Sequence, residues 1–310
     1  MSDVGSTESP RNGERASSFL GEGIDFTTDT FTPEEKARTL AWYREHHDHG
    51  DLDLSPFARF TIEHDPAWFK RLRRHIFSFD APGEEAPLPL AAGVLMYVHT
   101  YFALGMGKGA LYEIVTMRAL GATRAEVVEA LAVGAFHGGP RAINAFAEVG
   151  DEYLREWHEP AETTTRIPWP DGWRPDTSAF RSGIDLASDD LLTGELELIR
   201  TWYSRVYGEV PAHVDFLART APGALKTQRA RFETTVRGAL PAQIVPLLAV
   251  HLHALTLAPK PLRRALQLAR AVRVTRRQAL TSLLWAAVYG GDAVMETAFD
   301  AAGDVLEDWD

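Results

Sequence analysis

Two histidines stand where an imidazole can exchange a proton with a bound molecule. At helical spacing, the neighbours of His99 are Leu95, Met96, Phe102 and Ala103. His137 ends a second apolar segment, directly before the run Gly138-Gly139-Pro140. Because the ordinary pKa of histidine lies near neutrality, we predict that both act as general acids or bases at a pocket wall. For His99, the alternative is a packed histidine bonded to a backbone carbonyl.

Polar side chains near His137 form a candidate cradle for a carboxylate group. Arg141 and Asn144 lie on the first turn of the helix that follows His137, and a helix N-terminus with an arginine suits a carboxylate. The alternative is a tight turn between two helices with ordinary surface polarity. Further candidate substrate contacts are Tyr97, Tyr101 and Lys108.

Helices are expected to position all of these side chains. The runs Thr32-Pro33-Glu34-Glu35 and Thr123-Arg124-Ala125-Glu126 are capping boxes, which begin helices, and strand signals are scarce. In the first half of the chain, the periodicity predicts helices near residues 33–48, 56–63, 66–77, 89–104, 107–120, 124–136 and 140–156. We therefore predict an all-α fold.

The chain repeats itself after a shift of 152 positions. No gap is needed for the pairs His99 with His251, Lys108 with Lys260, Thr123 with Thr275, and Gly138-Gly139 with Gly290-Gly291. We predict two tandem copies of one helical domain, over residues 31–160 and 183–310. A linker containing proline and tryptophan over 161–182 separates them, and residues 1–30 are expected to be a disordered tail.

The composition limits the chemistry and the partners. The 310 residues carry a formal net charge of −11 and include no cysteine. The lack of cysteine excludes disulfides, thiolate nucleophiles and cysteine-ligated metals. The acidic balance disfavours nucleic acid as a partner. The first eighteen residues have no apolar stretch for a secretory signal, and no run of about eighteen apolar residues suits a membrane span. We therefore expect a cytoplasmic protein without a membrane partner.

Two runs carry a resemblance to a known family. Residues 119–131 read ALGATRAEVVEAL, and residues 135–146 read AFHGGPRAINAF. They resemble the carboxymuconolactone decarboxylase / alkylhydroperoxidase D-like superfamily, and the second copy resembles it more weakly around Thr275 and Tyr289. The resemblance implies helical domains that assemble into rings, often hexameric. A fused pair of domains would then close a similar ring as a homo-oligomer of about three chains.

The resemblance also bears on the chemistry. Redox-active members of that superfamily carry Cys-x-x-Cys and a histidine where this chain has Met106, Gly109 and Glu113. Thiol peroxidase activity is therefore excluded by the absence of cysteine. The resemblance implies that the helix carrying Glu113 lines the pocket, so that Glu113 would complement His99. The alternative is a solvated helix position.

The resulting prediction is a cofactor-independent lyase or isomerase. It would act by general acid/base chemistry, in decarboxylation, isomerisation or lactone handling. The resemblance implies the substrate class, a small organic acid or carbonyl compound. The predicted catalytic residues are His99, Glu113 and His137, with Arg141 as the carboxylate anchor. The equivalents in the second copy are His251, Lys260 and Tyr289. We predict one competent pocket in the first copy, and a pocket shared between the copies is the alternative.

Two other functions stay open at this point. A non-catalytic scaffold or small-molecule-binding protein would have its pocket filled by side chains such as Met106, Tyr97 and Tyr101. A metal-dependent enzyme would hold its ion with His99, Glu113 and His137. We interpret the histidine-rich run 45–51 as a solvated loop rather than a metal site.

Overall fold

The computed structural model of the chain describes residues 23–49, 52–76, 86–160 and 163–309. These residues form thirteen α-helices and one minimal antiparallel ladder, in which β1 (Asp48–His49) pairs with β2 (Leu52–Asp53). The predicted all-α class is confirmed. Across the described ranges, no helix combines the length and the apolar character that a membrane crossing requires. Most of the predicted tail, residues 1–22, lies outside the described residues.

The contacts divide the chain into two units, and the first is Met1–Leu88. Its described part holds α1 (Pro33–His47), α2 (Pro56–His64) and α3 (Pro66–Ile76). The Glu35 carboxylate completes the predicted capping box by accepting from the Thr32 N–H at 2.9 Å. The buried ammonium of Lys70, on α3, reaches the same carboxylate at 3.1 Å. One carboxylate therefore both begins α1 and fastens it to α3.

The histidine-rich run 45–51 is not the solvated loop that we predicted. The helix α1 continues to His47, whose side chain is buried. His46 stacks on Trp42 with ring centroids 4.5 Å apart. Asp48 and His49 form β1, and residues 50 and 51 lie outside the described part. Burial and stacking thus account for two of these histidines.

The second unit, Pro89–Asp310, contains the other ten described helices. They are α4 (Leu90–Ala103), α5 (Gly107–Ala119), α6 (Arg124–Glu156), α7 (Glu195–Tyr207), α8 (Ala212–Thr220), α9 (Pro222–Thr235), α10 (Ile244–Leu255), α11 (Pro259–Ala271), α12 (Arg276–Gly290) and α13 (Asp292–Glu307), with a 3-10 turn at Ser178–Phe180. The helices α4 and α10 are apolar on nearly every side, so they must be buried. They pack against each other, while α5 and α6 cover α4, and α11 and α12 cover α10.

The backbone of this unit repeats at the same spacing of 152 residues as the sequence. The bounds of α5 and α11 match, and Thr123 and Thr275 both form complete capping boxes. Gly139 has φ 65° and ψ −160°, and its counterpart Gly291 has φ 64° and ψ −155°. The helices predicted over 124–136 and 140–156 are joined in α6 across this kink. The repeat therefore includes helix ends and turns as well as residue types.

Glycines let the helices around α4 approach closely. A Cβ on Gly93 of α4 would lie 2.7 Å from the indole of Trp285, on α12. A Cβ on Gly134 of α6 would lie 2.8 Å from Phe102 and 3.3 Å from the backbone oxygen of His99. Because real Cβ atoms almost never make contacts this short, these two positions require glycine. The second of them brings α6 against α4 at His99.

The described part of the segment between the two repeats packs onto the helices through a tryptophan. Trp169 Nε1 donates to the Glu126 carboxylate at 3.2 Å, and Trp169 stacks on Trp173 with centroids 6.0 Å apart. Downstream, the Ala242 N–H donates to the Arg174 carbonyl at 3.1 Å. The predicted linker bounds at 161 and 182 both fall inside the second unit, and the division into two domains there stays a prediction.

Candidate functional site

Four histidines from three helices converge in the second unit. The helix α4 contributes His99, α6 contributes His137, and α10 contributes His251 and His253. His99 Nε2 lies 3.1 Å from His137 Nδ1. The ring centroids of His137 and His253 are 5.4 Å apart. The two histidines that the sequence analysis singled out are therefore in direct contact.

Helix packing sets the positions of His99 and His137. His99 is fully buried in α4, and its approach to α6 depends on the missing side chain of Gly134. His137 lies one turn after Gly134 and two residues before the kink at Gly139. It is only partly exposed. The pair thus runs from the fully buried His99 to the partly exposed residue His137.

Burial keeps all four imidazoles neutral at pH 7. It lowers the pKa of His137 to about 4, with a further contribution from the nearby His253 and an opposing hydrogen bond to Val133. Burial also lowers the pKa of His253 to about 4 and that of His251 to about 3. The pKa of His99 falls well below 6.5, through burial first and then through the neighbouring histidines. Each neutral ring offers one N–H donor and one acceptor nitrogen.

Two ring nitrogens of this group are buried without a hydrogen-bond partner in the described structure. They are His99 Nδ1 and His251 Nε2. Leaving a buried polar atom unpaired costs about 1–3 kcal/mol, so such atoms are rare outside sites that use them. The packed alternative expected His99 to bond to a backbone carbonyl. The hydrogen bond that His99 makes runs instead to another imidazole.

Of the predicted substrate-binding tyrosines, Tyr97 lies against His251, the second-copy counterpart of His99. The Tyr97 ring lies edge-to-face with His251 and with Tyr289, at 4.9 Å in each case. The centroids of Tyr101 and Tyr289 are 6.5 Å apart. The Tyr97 hydroxyl donates to the Trp285 carbonyl at 3.1 Å, which holds this ring in place. Tyr97 thus fills space beside the second-copy histidine, because α4 and α10 lie side by side.

The remaining predicted site residues differ in their burial. Glu113 is only 7% exposed, so the alternative of a solvated helix position is wrong. Met106 is half exposed and does not fill a pocket. Exposed side chains belong to Lys108, Arg141, Asn144 and Lys260. Their roles stay predictions.

His253 is the member of this group that the sequence analysis did not place in the site. It stands two residues after His251, and residues two apart on a helix do not share a face. The available signal was the repeat, because a shift of 152 positions places His253 on Tyr101, a predicted site residue.

Neither a metal cluster nor a described surface cleft coincides with the histidines. Among the described residues, no group of three or more histidine, aspartate or glutamate side chains is arranged to hold a metal ion. The proposed ligand set of His99, Glu113 and His137 therefore finds no support in the geometry. A cleft of about 530 Å³ is lined by residues around Arg124 and Trp157, and another of about 480 Å³ by residues around Arg200.

Comparison of the chain with family models, with curated proteins and with solved structures finds no match. The resemblance to the carboxymuconolactone decarboxylase-like superfamily therefore rests on the two sequence runs that carry it.

Proposed function

We propose that this protein is a cofactor-independent enzyme that transfers a proton on a small organic acid or carbonyl compound. The observation that carries the proposal is the 3.1 Å contact between His99 Nε2 and His137 Nδ1. Two imidazoles joined in this way fix each other's tautomer, since one nitrogen must donate and the other accept. His137, the partly exposed ring, is the general base that meets the substrate. The buried His99 positions it.

A negative charge on the substrate would raise the basicity of His137, which is low in the free protein. With its pKa lowered to about 4, the His137 ring is a weak base when no ligand is bound. A carboxylate placed beside it favours the protonated ring and raises that pKa toward neutrality. Proton uptake is then coupled to substrate binding. In an isomerisation, His137 would take a proton from the carbon next to a carbonyl and return it to another carbon, which leaves the enzyme unchanged.

The same proposal includes the family and the assembly. We assign the chain to the carboxymuconolactone decarboxylase-like superfamily as a tandem two-domain member. The support is the pair of runs at 119–131 and 135–146, together with the matched helix ends of the two halves. The implied assembly is a homo-oligomer of about three chains, which light scattering on the purified protein would measure.

The experiment that tests the proposed chemistry detects proton exchange directly. Purified protein in D₂O with a chelator is incubated with a panel of β-keto acids, enol lactones and unsaturated lactone acids. Deuterium incorporation is followed by NMR. We expect exchange on at least one member of the panel, and a loss of about 10²–10⁴-fold in His137→Gln, the usual contribution of a general base.

A matched histidine provides the control. His158 is exposed and lies two residues after the end of α6, so His158→Gln should keep the exchange rate of the parent protein. Equal losses in both variants, or no exchange on any substrate, would contradict the proposed chemistry. The result would then favour the second candidate, a small-molecule-binding scaffold. The packing of Tyr97 against His251 and Tyr289 supports that candidate.

A further inference from the structure

The second unit separates its charges along the chain. Residues 259–277 hold seven basic side chains and no acidic one, whereas residues 278–310 hold seven acidic side chains and no basic one. The two blocks pair in part within the chain, because Arg263 on α11 binds the Asp304 carboxylate on α13 through two bonds of 2.5 and 2.6 Å. The packing of α11 on α13 explains that pair, but it does not explain the arginines that follow α11.

Three exposed arginines after α11 occupy positions where the backbone disfavours them. Arg273 has φ 65°, in the left-handed region, and its first-half counterpart is Gly121. Arg276 and Arg277 lie on the first turn of α12, where the helix dipole disfavours a positive charge. The first-half counterpart of Arg277 is Ala125. The fold therefore does not require these charges, and local rules that are broken at exposed positions indicate a function.

The opposite charge lies at the other end of the same pair of helices. Asp292 and Glu296, at the start of α13, are exposed and form no ion pair within the described part of the chain. The same holds for Arg273 and Arg276. The helix α12 has 15 residues, so about 20 Å separate its basic start from the start of α13. The two ends are too far apart to neutralise each other within one chain.

We propose that these two ends bind each other between copies of this chain. The basic patch of one copy would contact the acidic patch of the next, the patches being Arg273, Arg276 and Arg277 on one side and Asp292, Glu296 and Asp300 on the other.

Charge complementarity selects a second copy as the partner. Both patches are on the same molecule, and the net charge of −11 disfavours a partner that is only negative, such as a nucleic acid. A contact between two different surfaces is head-to-tail, which is the geometry that closes a ring. The inference rests on the assembly that the proposed function includes, and it is independent of the proton chemistry at His137.

The test reverses the charges of the two patches and measures assembly by sedimentation at low salt. We expect the parent protein to assemble. The basic-patch variant Arg273→Glu/Arg276→Glu and the acidic-patch variant Asp292→Arg/Glu296→Arg should each associate at least about tenfold more weakly, because like charges then face each other. The fourfold variant with both patches reversed keeps the net charge of the parent protein and should assemble again.

A control and a further variant separate this contact from general effects of charge and from misfolding. Arg205→Glu/Arg219→Glu makes the same change of charge at exposed positions of α7 and α8, and it should assemble like the parent protein. Arg273→Gly removes one charge together with the left-handed side chain. It should resist urea better than the parent protein while it associates more weakly, a combination that a purely structural role would not produce.

The proposal is overturned if the basic-patch variant assembles like the parent protein, or if the control variant weakens association equally. It is also overturned if the folded fourfold variant does not assemble. A parent protein that stays monomeric at low salt contradicts both this inference and the proposed assembly. A basic-patch variant that assembles fully contradicts this inference alone.

Discussion

At the scale of the residue, the surroundings of each imidazole set its charge. His137 and His253 have pKa values of about 4, against 6.5 for a free histidine. Between these values the folded protein binds fewer protons than the unfolded chain. Their contribution to stability is thus complete above about pH 6.5 and is lost as the pH falls toward 4. The carboxylates of Asp29 and Asp304 have pKa values near 2 in the folded protein, so there they stay ionised throughout this window.

The first prediction is that acid destabilises the protein through these histidines. Between pH 7 and pH 4.5, the free energy of unfolding should fall by an amount on the order of a few kcal/mol. Urea denaturation across this range measures it. The double variant His137→Gln/His253→Gln should show a shallower dependence on pH. A slope that the double variant leaves unchanged would place the titrating groups elsewhere.

The second prediction concerns the bond between Thr100 Oγ1 and His251 Nδ1, which is 2.7 Å long and fully buried. Because His251 Nε2 already has no partner in the described structure, Thr100→Val leaves the whole ring unpaired. We expect a loss of about 1–3 kcal/mol in the free energy of unfolding. The control is Thr281→Val, which removes only a bond to the Arg277 carbonyl within its own helix. Similar losses in the two variants would refute a special role for the pair.

At the scale of the element, one carboxylate fastens α6 to the loop before α10. Glu129 is buried and accepts the backbone N–H groups of residues 237–240, including Arg237 at 3.0 Å and Leu240 at 3.2 Å. A carboxylate that receives several N–H donors is held by charge-assisted bonds, which are stronger than neutral ones. This loop sets the start of α10 and hence the position of His251 and His253.

We therefore predict that Glu129→Gln is costly, because an amide offers one acceptor oxygen where the loop needs two. The expected loss is about 2–4 kcal/mol by chemical denaturation, with line broadening at His253. The control is Glu152→Gln, at an exposed position of the same helix. It should cost under about 0.5 kcal/mol. Equal costs would contradict the role given to Glu129.

The second feature at the scale of the element is the kink in α6. Gly139 adopts φ 65° and ψ −160°, a conformation that is open essentially to glycine alone, and a Cβ there would meet open space. Gly139→Ala should therefore cost about 1–3 kcal/mol through the backbone only. Gly223→Ala, at a helical position with open space, should be neutral or slightly stabilising. If both alanines are tolerated, the kink is not set by the glycine.

At the scale of the second unit, the two halves of the repeat share one core. Gly93 of α4 lies against Trp285 of α12, and α4 packs on α10. We predict that Gly93→Ala, which overpacks this contact, lowers hydrogen-exchange protection in both halves together, by about 1–3 kcal/mol. The added variant Trp285→Phe should restore part of the loss. Protection lost in residues 89–157 alone would show that the halves unfold independently.

Local signals in the sequence determined the helices. Capping boxes at Thr32, Thr123 and Thr275, apolar periodicity and the repeated glycines act within one or two turns, so helix ends and the kink near Gly139 follow from the printed residues. The sequence also pointed to His99 and His137, since both follow apolar helical stretches. The repeat marks His99 together with His251.

Only the tertiary structure decided which side chains share a site. The packing of α4 on α10 brings His253 to His137 and turns Tyr97 toward His251, although these residues are more than a hundred positions apart. Sequence spacing carries no information on such contacts, because they depend on how two buried helices cross. Burial then set the charge of the imidazoles, which are neutral at pH 7 because the core excludes water from around them.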